Sequence, residues 1–443
     1  METIRIFLDR LNAFIWGYPM IILLVATHVY LTFKLKFIQK YIFKAIKLSV
    51  KKDNSAGMVS NFGALSVSLA ATIGTGSIIG MSTAIATGGP GAVFWMIVIG
   101  VFGISTKYAE CMLAVKYRVK NEAGEQVGGP MYIMKNVLNM KRMGAFFAFC
   151  GLLMALSGGG MLQVNAIADV LGDAYKINNV IVGAVVAAAV CAVTIGGVKS
   201  IAAACECLVP FMGFLYLLAA LTVFVMRIDA VPEAVLLIFK EAFRFKAAGG
   251  GILGAGIMAA MYAGASRSVL TTESGLGSAS VVSAAAKSKN PVRQGLVAST
   301  SVFWTFFVCT LTGLIILIAG DWQSGDKFAG DLCNSAFSAI PYGGVLVLVT
   351  SLIIFSFTTI VGWTYYGERF IEFLGGRRFV APFRFFWIIC MFCGALISTQ
   401  LAWSIAVLVT ALMAVPNLFM IFLLRNDIVE ETDKYLKKEI ENI

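Results

Sequence analysis

The chain has 443 residues, of which 59% are hydrophobic and 13% are charged, and its mean hydropathy is +0.86. Soluble domains carry roughly 25% charged residues, so this composition excludes a soluble protein and predicts an all-α polytopic membrane protein. The net charge of +11 does not indicate nucleic-acid binding, because the charges lie in loops between apolar segments. His28 is the single histidine, which excludes a histidine-based metal site, and we expect neither an enzyme nor a cofactor.

Apolar segments predict about 11 membrane spans of ~20 residues each. In chain order the predicted spans are residues 12–33, 61–86, 91–116, 143–170, 178–198, 206–227, 250–286, 292–319, 344–372, 381–399 and 401–424. The loops after odd-numbered spans are rich in lysine and arginine, which places them in the cytoplasm, although the sixth loop is also partly basic. With an odd number of spans, the N-terminus lies outside the cell membrane and the C-terminus lies in the cytoplasm.

Two of the predicted spans are interrupted by glycine and hydroxyl residues. The first interruption covers residues 72–77 and the second covers residues 266–275. Because unpaired backbone groups cost several kcal/mol in lipid, a membrane helix is unwound only where the freed groups line a cavity. A pair of such breaks at corresponding points of two halves indicates the binding site of a transporter.

The loops after the two breaks differ in charge. Residues 87–90 are uncharged and predicted to lie outside, whereas residues 287–293 are basic and predicted to lie inside. The two halves therefore run through the bilayer in opposite directions, as inverted repeats do. This divides the chain into four regions: the first span with a basic amphipathic loop (1–60), the first repeat (61–228), the second repeat (229–424) and a cytoplasmic tail (425–443).

The candidate substrate residues are polar groups beside the first break. The glycines of Gly74-Thr75-Gly76-Ser77 permit close approach of the backbone, and the freed amides at the start of a half-helix suit a carboxylate. A close contact between small residues of two helices is the alternative. Gln163, in a glycine-rich stretch of the fourth span, offers a donor and an acceptor either to a ligand or to another helix.

The candidate ion residues lie in the ninth span and in the second break. Thr358 and Thr359 present adjacent hydroxyls that suit a hard cation, although threonines in membrane helices also bond back to the preceding turn. Glu273 is the only acid in the second break, and an acid at membrane depth is usually functional. Its alternative role is to satisfy unwound backbone N–H groups. Arg267 is either its partner or reaches the outer surface.

Several motifs resemble the alanine-or-glycine:cation symporter family, which includes the sodium:alanine symporters. They extend over nearly the whole chain and read NFGAL at 61–65, GTG at 74–76, GGPGAVFW at 88–95, KYAE at 107–110, GGPMY at 128–132, ESGLGSA at 273–279 and GWTYYGER at 362–369. The resemblance implies a LeuT-like core of five plus five helices. It also implies symport of small neutral amino acids, such as alanine and glycine, with sodium or sometimes protons.

The resemblance implies roles for individual residues. The substrate carboxylate would meet the amides of Thr75 and Gly76 beside Ser77, in a small pocket walled by Gln163, Thr359, Val361 and Trp363. By analogy with the LeuT-like fold, the cation would lie between the carbonyls of Ala70 and Ile73 and the hydroxyls of Thr358 and Thr359. Glu273 would have a structural or coupling role. The expected partners are a small neutral amino acid, sodium and the lipid bilayer, with a monomer as the expected unit.

The chain departs from the family pattern at both breaks. Ser77 stands where the family usually has asparagine, and Thr272 replaces an asparagine beside Glu273. Because an amide is lost at each break, the preferred amino acid stays open, with serine and glutamine as alternatives, and so does the choice between sodium and proton. A channel would need rings of acids or carbonyls along a pore, and the sequence repeats no such ring.

Overall fold

The structure is a computed structural model that describes residues 2–51, 53, 55, 57–244, 255–319, 322, 329–338, 343–396 and 399–440. These residues are almost wholly helical, which confirms the all-α polytopic fold predicted from the composition. A short antiparallel hairpin pairs β1 (Val119–Lys120) with β2 (Gln126–Val127).

The helices divide at residues 245–254, which lie outside the described part of the chain. Those before the gap are α1 (Glu2–Ile15), α2 (Tyr18–Lys34), α3 (Ile42–Ser49), α4 (Asn61–Thr72), α5 (Thr75–Gly88), α6 (Gly91–Lys116), α7 (Pro130–Asn136), α8 (Lys141–Met154), α9 (Leu162–Tyr175), α10 (Asn179–Thr194), α11 (Gly197–Met226) and α12 (Ala230–Ala242). Those after it are α13 (Ala255–Thr272), α14 (Ser278–Ala284), α15 (Pro291–Ala319), α16 (Ala329–Ser338), α17 (Gly344–Gly375), α18 (Val380–Gly394), α19 (Thr399–Leu423) and α20 (Arg425–Ile440). A π-helical turn at Ala155–Met161 joins α8 to α9, and 3₁₀ turns lie at Ile38–Tyr41 and Arg377–Phe379.

The described helices account for many of the predicted spans. Six are long and apolar enough to cross a membrane, and the number is eight if two bent helix pairs count as one span each. One bent pair is α4 with α5, and the other is α2 with the segment Ile38–Ser49, which turns away by 69°. The count of about 11 spans stays a prediction, because α10 and α18 are short and residues 250–254 lie outside the described chain.

Two predicted span boundaries are wrong. The span expected at 12–33 is divided, because α1 ends at Ile15 and α2 begins at Tyr18, with proline in its first turn where no amide is needed. The loop expected between 198 and 206 lies inside α11. The preceding helix ends earlier, at Thr194, because Gly197 adopts a left-handed φ of +64° that breaks the helix before the charged residues are reached.

The helix α6 brings the two breaks together. It packs along α13 and α15, and α13 also packs against α5. The contact between α6 and α13 is backbone to backbone, since a Cβ added at Gly264 would lie 2.6 Å from the carbonyl oxygen of Ala92. The pair α4–α5 and the pair α13–α14 therefore meet beside α6, and the candidate site lies between them.

Candidate substrate site

The first break separates α4 from α5, whose axes differ by 42°. Ile73 leaves the helix at φ −88° and ψ 85°, and Gly74 is extended at φ −126° and ψ −156°. Gly74 caps α5 without a side-chain bond, so the first amides of α5 have no partner within the helix. A Cβ at Gly74 would lie 2.6 Å from the Thr359 hydroxyl oxygen, which explains why this position is glycine.

A cavity of about 70 Å³ opens at this break. Five residues expected at the substrate site line it, namely Thr75, Gly76, Gln163, Thr359 and Trp363, and Glu273 of the second break lines it as well. The remaining wall comes from α4, α8, α9, α13, α19 and the π-helical turn. Residues from both halves of the chain therefore enclose one small space.

Gln163 connects the first break to the π-helical turn. Its Oε1 accepts from the Thr75 hydroxyl at 3.2 Å and lies 3.5 Å from the Thr75 amide nitrogen. Its Nε2 donates to the carbonyl of Gly158 at 3.0 Å. Gln163 is 6% exposed and lines the cavity. Its amide group therefore makes contacts between helices and is also placed to contact a ligand, which are the two roles considered from the sequence.

The glycines of the fourth span accommodate large side chains rather than a passage. A Cβ at Gly159 would lie 2.2 Å from Cγ of Trp363, and one at Gly160 would lie 2.3 Å from Cε of Met391. The indole of Trp363 rests directly on the backbone of the π-helical turn and stacks edge to face on Tyr366 at 5.3 Å. Trp363 is thereby held as a rigid wall of the cavity.

The two adjacent threonines of α17 face different neighbours. The Thr359 hydroxyl lies 2.9 Å from the Ala70 carbonyl oxygen and 2.8 Å from that of Phe355. The Thr358 hydroxyl lies 3.0 Å from the Phe355 carbonyl and 3.6 Å from the sulfur of Met212. Both therefore make the bond to the preceding turn. Thr359 also reaches the end of α4, whereas Thr358 points towards α11.

Two residues expected at the substrate site lie outside the cavity lining. Ser77 is fully buried on the face of α5 next to α15, where its carbonyl accepts from the Thr312 hydroxyl at 3.2 Å. Val361 is fully buried in the hydrophobic core. Successive helix residues point in directions about 100° apart, so a motif of consecutive residues places only some of them in one cavity.

The second break runs from Glu273 to Gly277, between α13 and α14. The break expected at 266–275 is therefore wrong over residues 266–272, which form the last turns of α13. Three of its residues have left-handed φ angles: Glu273 at 53°, Gly275 at 89° and Gly277 at 78°. For the two glycines this is free of steric cost, but for Glu273 it costs about 1–3 kcal/mol. The Ser278 hydroxyl donates to the Glu273 carboxyl group at 2.5 Å, and the Trp363 side chain interacts with it. A strained acid is therefore held at the cavity.

The family comparison agrees with this geometry. A family model described as the sodium:alanine symporter family matches residues 1–442. The chain belongs to the sodium:alanine symporter family. Within it, the sodium/alanine symporter AgcS of Methanococcus maripaludis is 41% identical, over 96% of this chain and 96% of AgcS. The probable sodium/glutamine symporter GlnT of Bacillus subtilis is 33% identical, over 97% of this chain and 90% of GlnT.

A solved structure shows the fold of this symporter. MhsT in complex with L-phenylalanine superimposes with a TM-score of 0.61 at 15% identity, over 85% of this chain and 93% of MhsT. At that identity the likeness concerns the fold alone. It confirms the LeuT-like architecture that the resemblance implied. The family match and the long apolar helices show that the protein is a multi-pass membrane transporter.

Sequence reasoning missed two contributions to the symporter's site. The first is α19, whose residues Ala406, Val407 and Thr410 line the cavity, but which reads in the sequence as an apolar helix with a few isolated polar residues. The second is Lys107 with Glu110, a pair of charges inside α6 with fully buried side chains. An ionisable pair within an apolar segment is a signal of function, and here it appeared only inside a family motif.

Proposed function

We propose that the protein imports small neutral amino acids, with alanine and glycine preferred, by sodium-coupled alternating access. The observation that carries this proposal is the polar side of the cavity, where the N-terminus of α5 at Thr75 and Gly76 meets the amide of Gln163. The positive end of a helix attracts a carboxylate, and an amide side chain adds a donor and an acceptor without net charge. This set suits the carboxylate and ammonium groups that all amino acids share.

The rest of the cavity favours a small, uncharged side chain. Its volume is about 70 Å³, and its wall includes Met154, Leu162 and the fixed indole of Trp363 beside two side chains of opposite charge, Arg267 and Glu273. Burying a charged side chain in this space costs several kcal/mol unless it pairs directly with one of these two groups. Glutamine is the alternative substrate, because the GlnT relative carries that amino acid in its name.

The proposed sodium site lies where α4 ends. It consists of the carbonyls of Ala70 and Ile73 with the hydroxyls of Thr358 and Thr359. The approach of the Thr359 hydroxyl to the Ala70 carbonyl, at 2.9 Å, supports it because hard cations prefer oxygen ligands. Thr359 contributes more to sodium binding than Thr358 in this proposal, since the Thr358 hydroxyl is directed towards Met212.

A proton is the alternative coupling ion, and Glu273 is the group that would carry it. Its carboxyl group is 3% exposed and lines the cavity, as a proton carrier must. Sodium is the preferred assignment because Glu273 already has a structural contact in the Ser278 hydroxyl, whereas the Thr359 hydroxyl reaches from the middle of α17 to the broken end of α4.

The proposed topology follows from the loop charges. The N-terminus lies outside and the C-terminus lies in the cytoplasm, and regions 61–228 and 229–424 form the two inverted repeats. Regions 1–60 and 425–443 lie outside the repeats. A single chain encloses the cavity, so the proposed transport unit is a monomer.

Uptake into proteoliposomes tests the proposal. Purified protein is reconstituted, and uptake of labelled alanine is measured with and without a sodium gradient, against a panel of unlabelled amino acids. Glycine and alanine should compete, and counterflow of labelled alanine should saturate. Competition by lysine or glutamate as strong as that by alanine would overturn the substrate assignment. Concentrative uptake driven by a pH gradient without sodium would overturn the ion assignment.

A further inference from the structure

Three buried polar side chains converge on the second break from outside it. Lys107 and Glu110 lie one turn apart on α6, with both side chains fully buried and Nζ 3.5 Å from Oε1. Asn417 lies on α19 and is fully buried as well. Charges this far from water persist in a membrane protein only when they are paired and have a role.

Each of the three side chains bonds to the backbone of the break. The Lys107 ammonium donates to the carbonyl of Glu273 at 3.0 Å. The Glu110 carboxylate accepts from the amide of Gly277 at 3.1 Å, and Asn417 donates to the carbonyl of Gly275 at 2.8 Å. These are the three residues of the break with left-handed φ angles.

The three side chains also bond to one another. Asn417 donates to Glu110 at 3.0 Å, on the same oxygen that accepts from Gly277, while the other oxygen of Glu110 faces Lys107. The set therefore joins α6, α19 and the break in one network. The alternative role of Glu273, satisfying unwound amides, does not extend to Gly277, because Glu110 accepts that amide and Glu273 accepts from a hydroxyl.

We propose that Lys107, Glu110 and Asn417 are positioning residues, which hold the break so that Glu273 stays at the substrate cavity. None of the three lines the cavity. They act through the backbone of Glu273, which would relax from its strained φ of 53° if its carbonyl were released. Lys107 donates a hydrogen bond to the Glu273 carbonyl and forms an ion pair with Glu110. The Lys107–Glu110 pair is therefore neutral overall, while the Glu273 carboxyl group faces the cavity.

The inference rests on the proposed function for its first readout, alanine affinity. It has a second readout that needs no substrate, namely hydrogen–deuterium exchange of the peptide that covers residues 273–278. The amide of Gly277 is protected by Glu110, and it should exchange faster when the network is broken.

The test compares four variants of the network and one control variant with the wild type in detergent. Lys107→Met and Glu110→Gln each leave one buried charge without its partner, whereas the double variant restores neutrality and keeps an acceptor for Gly277. Asn417→Leu removes the bond to Gly275 and leaves the ion pair intact. The control is Glu372→Gln, which disrupts another buried pair three residues apart, with Arg369 at 2.8 Å, away from the cavity.

Each single variant in the network should weaken alanine binding by at least about tenfold and speed exchange at 273–278. The double variant has no unpaired charge but still releases the Glu273 carbonyl, so it should also weaken alanine binding and speed exchange, by less than either single charge variant. The control should change neither readout. Faster exchange with wild-type affinity would overturn the positioning role, and wild-type values of both readouts would overturn the whole network.

The design separates the possible failures. If the single variants do not fold, the double variant and Asn417→Leu decide the matter, since neither leaves a charge unpaired. Wild-type affinity and wild-type exchange in both of these would end the proposal. If the wild-type protein binds no alanine with sodium present, the proposed function fails. Exchange at 273–278 then decides by itself whether the network holds the break.

Discussion

The two helix breaks of this symporter differ in their backbone angles and in the side chains that contact the unwound backbone. At the first, the backbone crosses from α4 to α5 with negative φ angles, and its neighbours are the uncharged side chains of Gln163 and Thr359. At the second, three residues have positive φ angles, and a lysine, a glutamate and an asparagine bond to the backbone. In the function proposed above, the neutral contacts of the first break are exchanged for a ligand, and the charged, buried contacts hold the second break as a fixed wall.

The largest effect should follow from filling the first break. In Gly74→Ala the new Cβ would lie 2.6 Å from the Thr359 hydroxyl oxygen, so α4 and α17 must separate. Overpacking of this kind costs about 1–3 kcal/mol, and we expect alanine affinity to fall by up to about 100-fold. Gly213→Ala on α11 is the matched control, because no atom lies within 4 Å of the added Cβ. Equal affinities of the two variants in binding assays would show that the close approach is irrelevant.

The next largest loss of alanine affinity should follow from removing the uncharged side chain of Gln163 at the first break. Gln163→Ala removes the amide that meets Thr75 and Gly158, and a hydrogen bond to a charged ligand is worth about 1.5–3 kcal/mol. Alanine affinity should fall at least about tenfold, with little loss of folded protein. Titration of purified variant checks the affinity, and its elution as a single species checks the fold. An unchanged affinity would assign Gln163 to helix packing.

A smaller and more selective effect should show which of the two breaks binds the coupling ion. Thr359→Ala should raise the sodium concentration for half-maximal uptake by about fivefold, as expected for one lost ligand, and Thr358→Ala should raise it less. Glu273→Gln should keep some sodium-dependent uptake. The reverse pattern, with mild threonine variants and no concentrative uptake by Glu273→Gln, would move the coupling from the first break to the second and make it a proton.

The last prediction concerns the directions in which the two repeats cross the membrane. It uses two cysteine substitutions that should leave transport almost unchanged. Thr87 follows the first break and Lys289 follows the second, and both are exposed. In inverted repeats they lie on opposite sides of the membrane. An impermeant thiol reagent added to intact cells should label Thr87→Cys and leave Lys289→Cys unlabelled, in a background without the exposed Cys207. Labelling of Lys289→Cys would refute the topology and the inverted repeat with it.

Much of the candidate site could be predicted because its signals are local. Glycine and hydroxyl residues inside apolar spans mark the breaks, and isolated polar or aromatic residues such as Gln163, Thr359 and Trp363 stand out from the sequence around them. The structure brings these three side chains to one cavity. The consecutive motifs were less informative, since Ser77 and Val361 belong to the same motifs and face away.

The residue pairings could not be predicted in the same way. Asn417 is separated from Glu110 by 307 positions, and Glu273 is separated from Lys107 by 166. No periodicity within a helix links residues so far apart. The contribution of α19 to the cavity is of the same kind, because it depends on which side of this mostly apolar helix faces α8 and the π-helical turn.

The sequence by itself determined that the chain is a helical membrane protein, that two of its helices break and which symporter family it belongs to. Those properties depend on the burial of apolar segments in lipid and on the backbone freedom of glycine, which act over a few residues. Only the tertiary structure decided that Glu110 rather than Glu273 takes the freed amide, and that Thr359 rather than Thr358 reaches α4. Those choices depend on the rotation and contact of whole helices, which packing between distant segments sets.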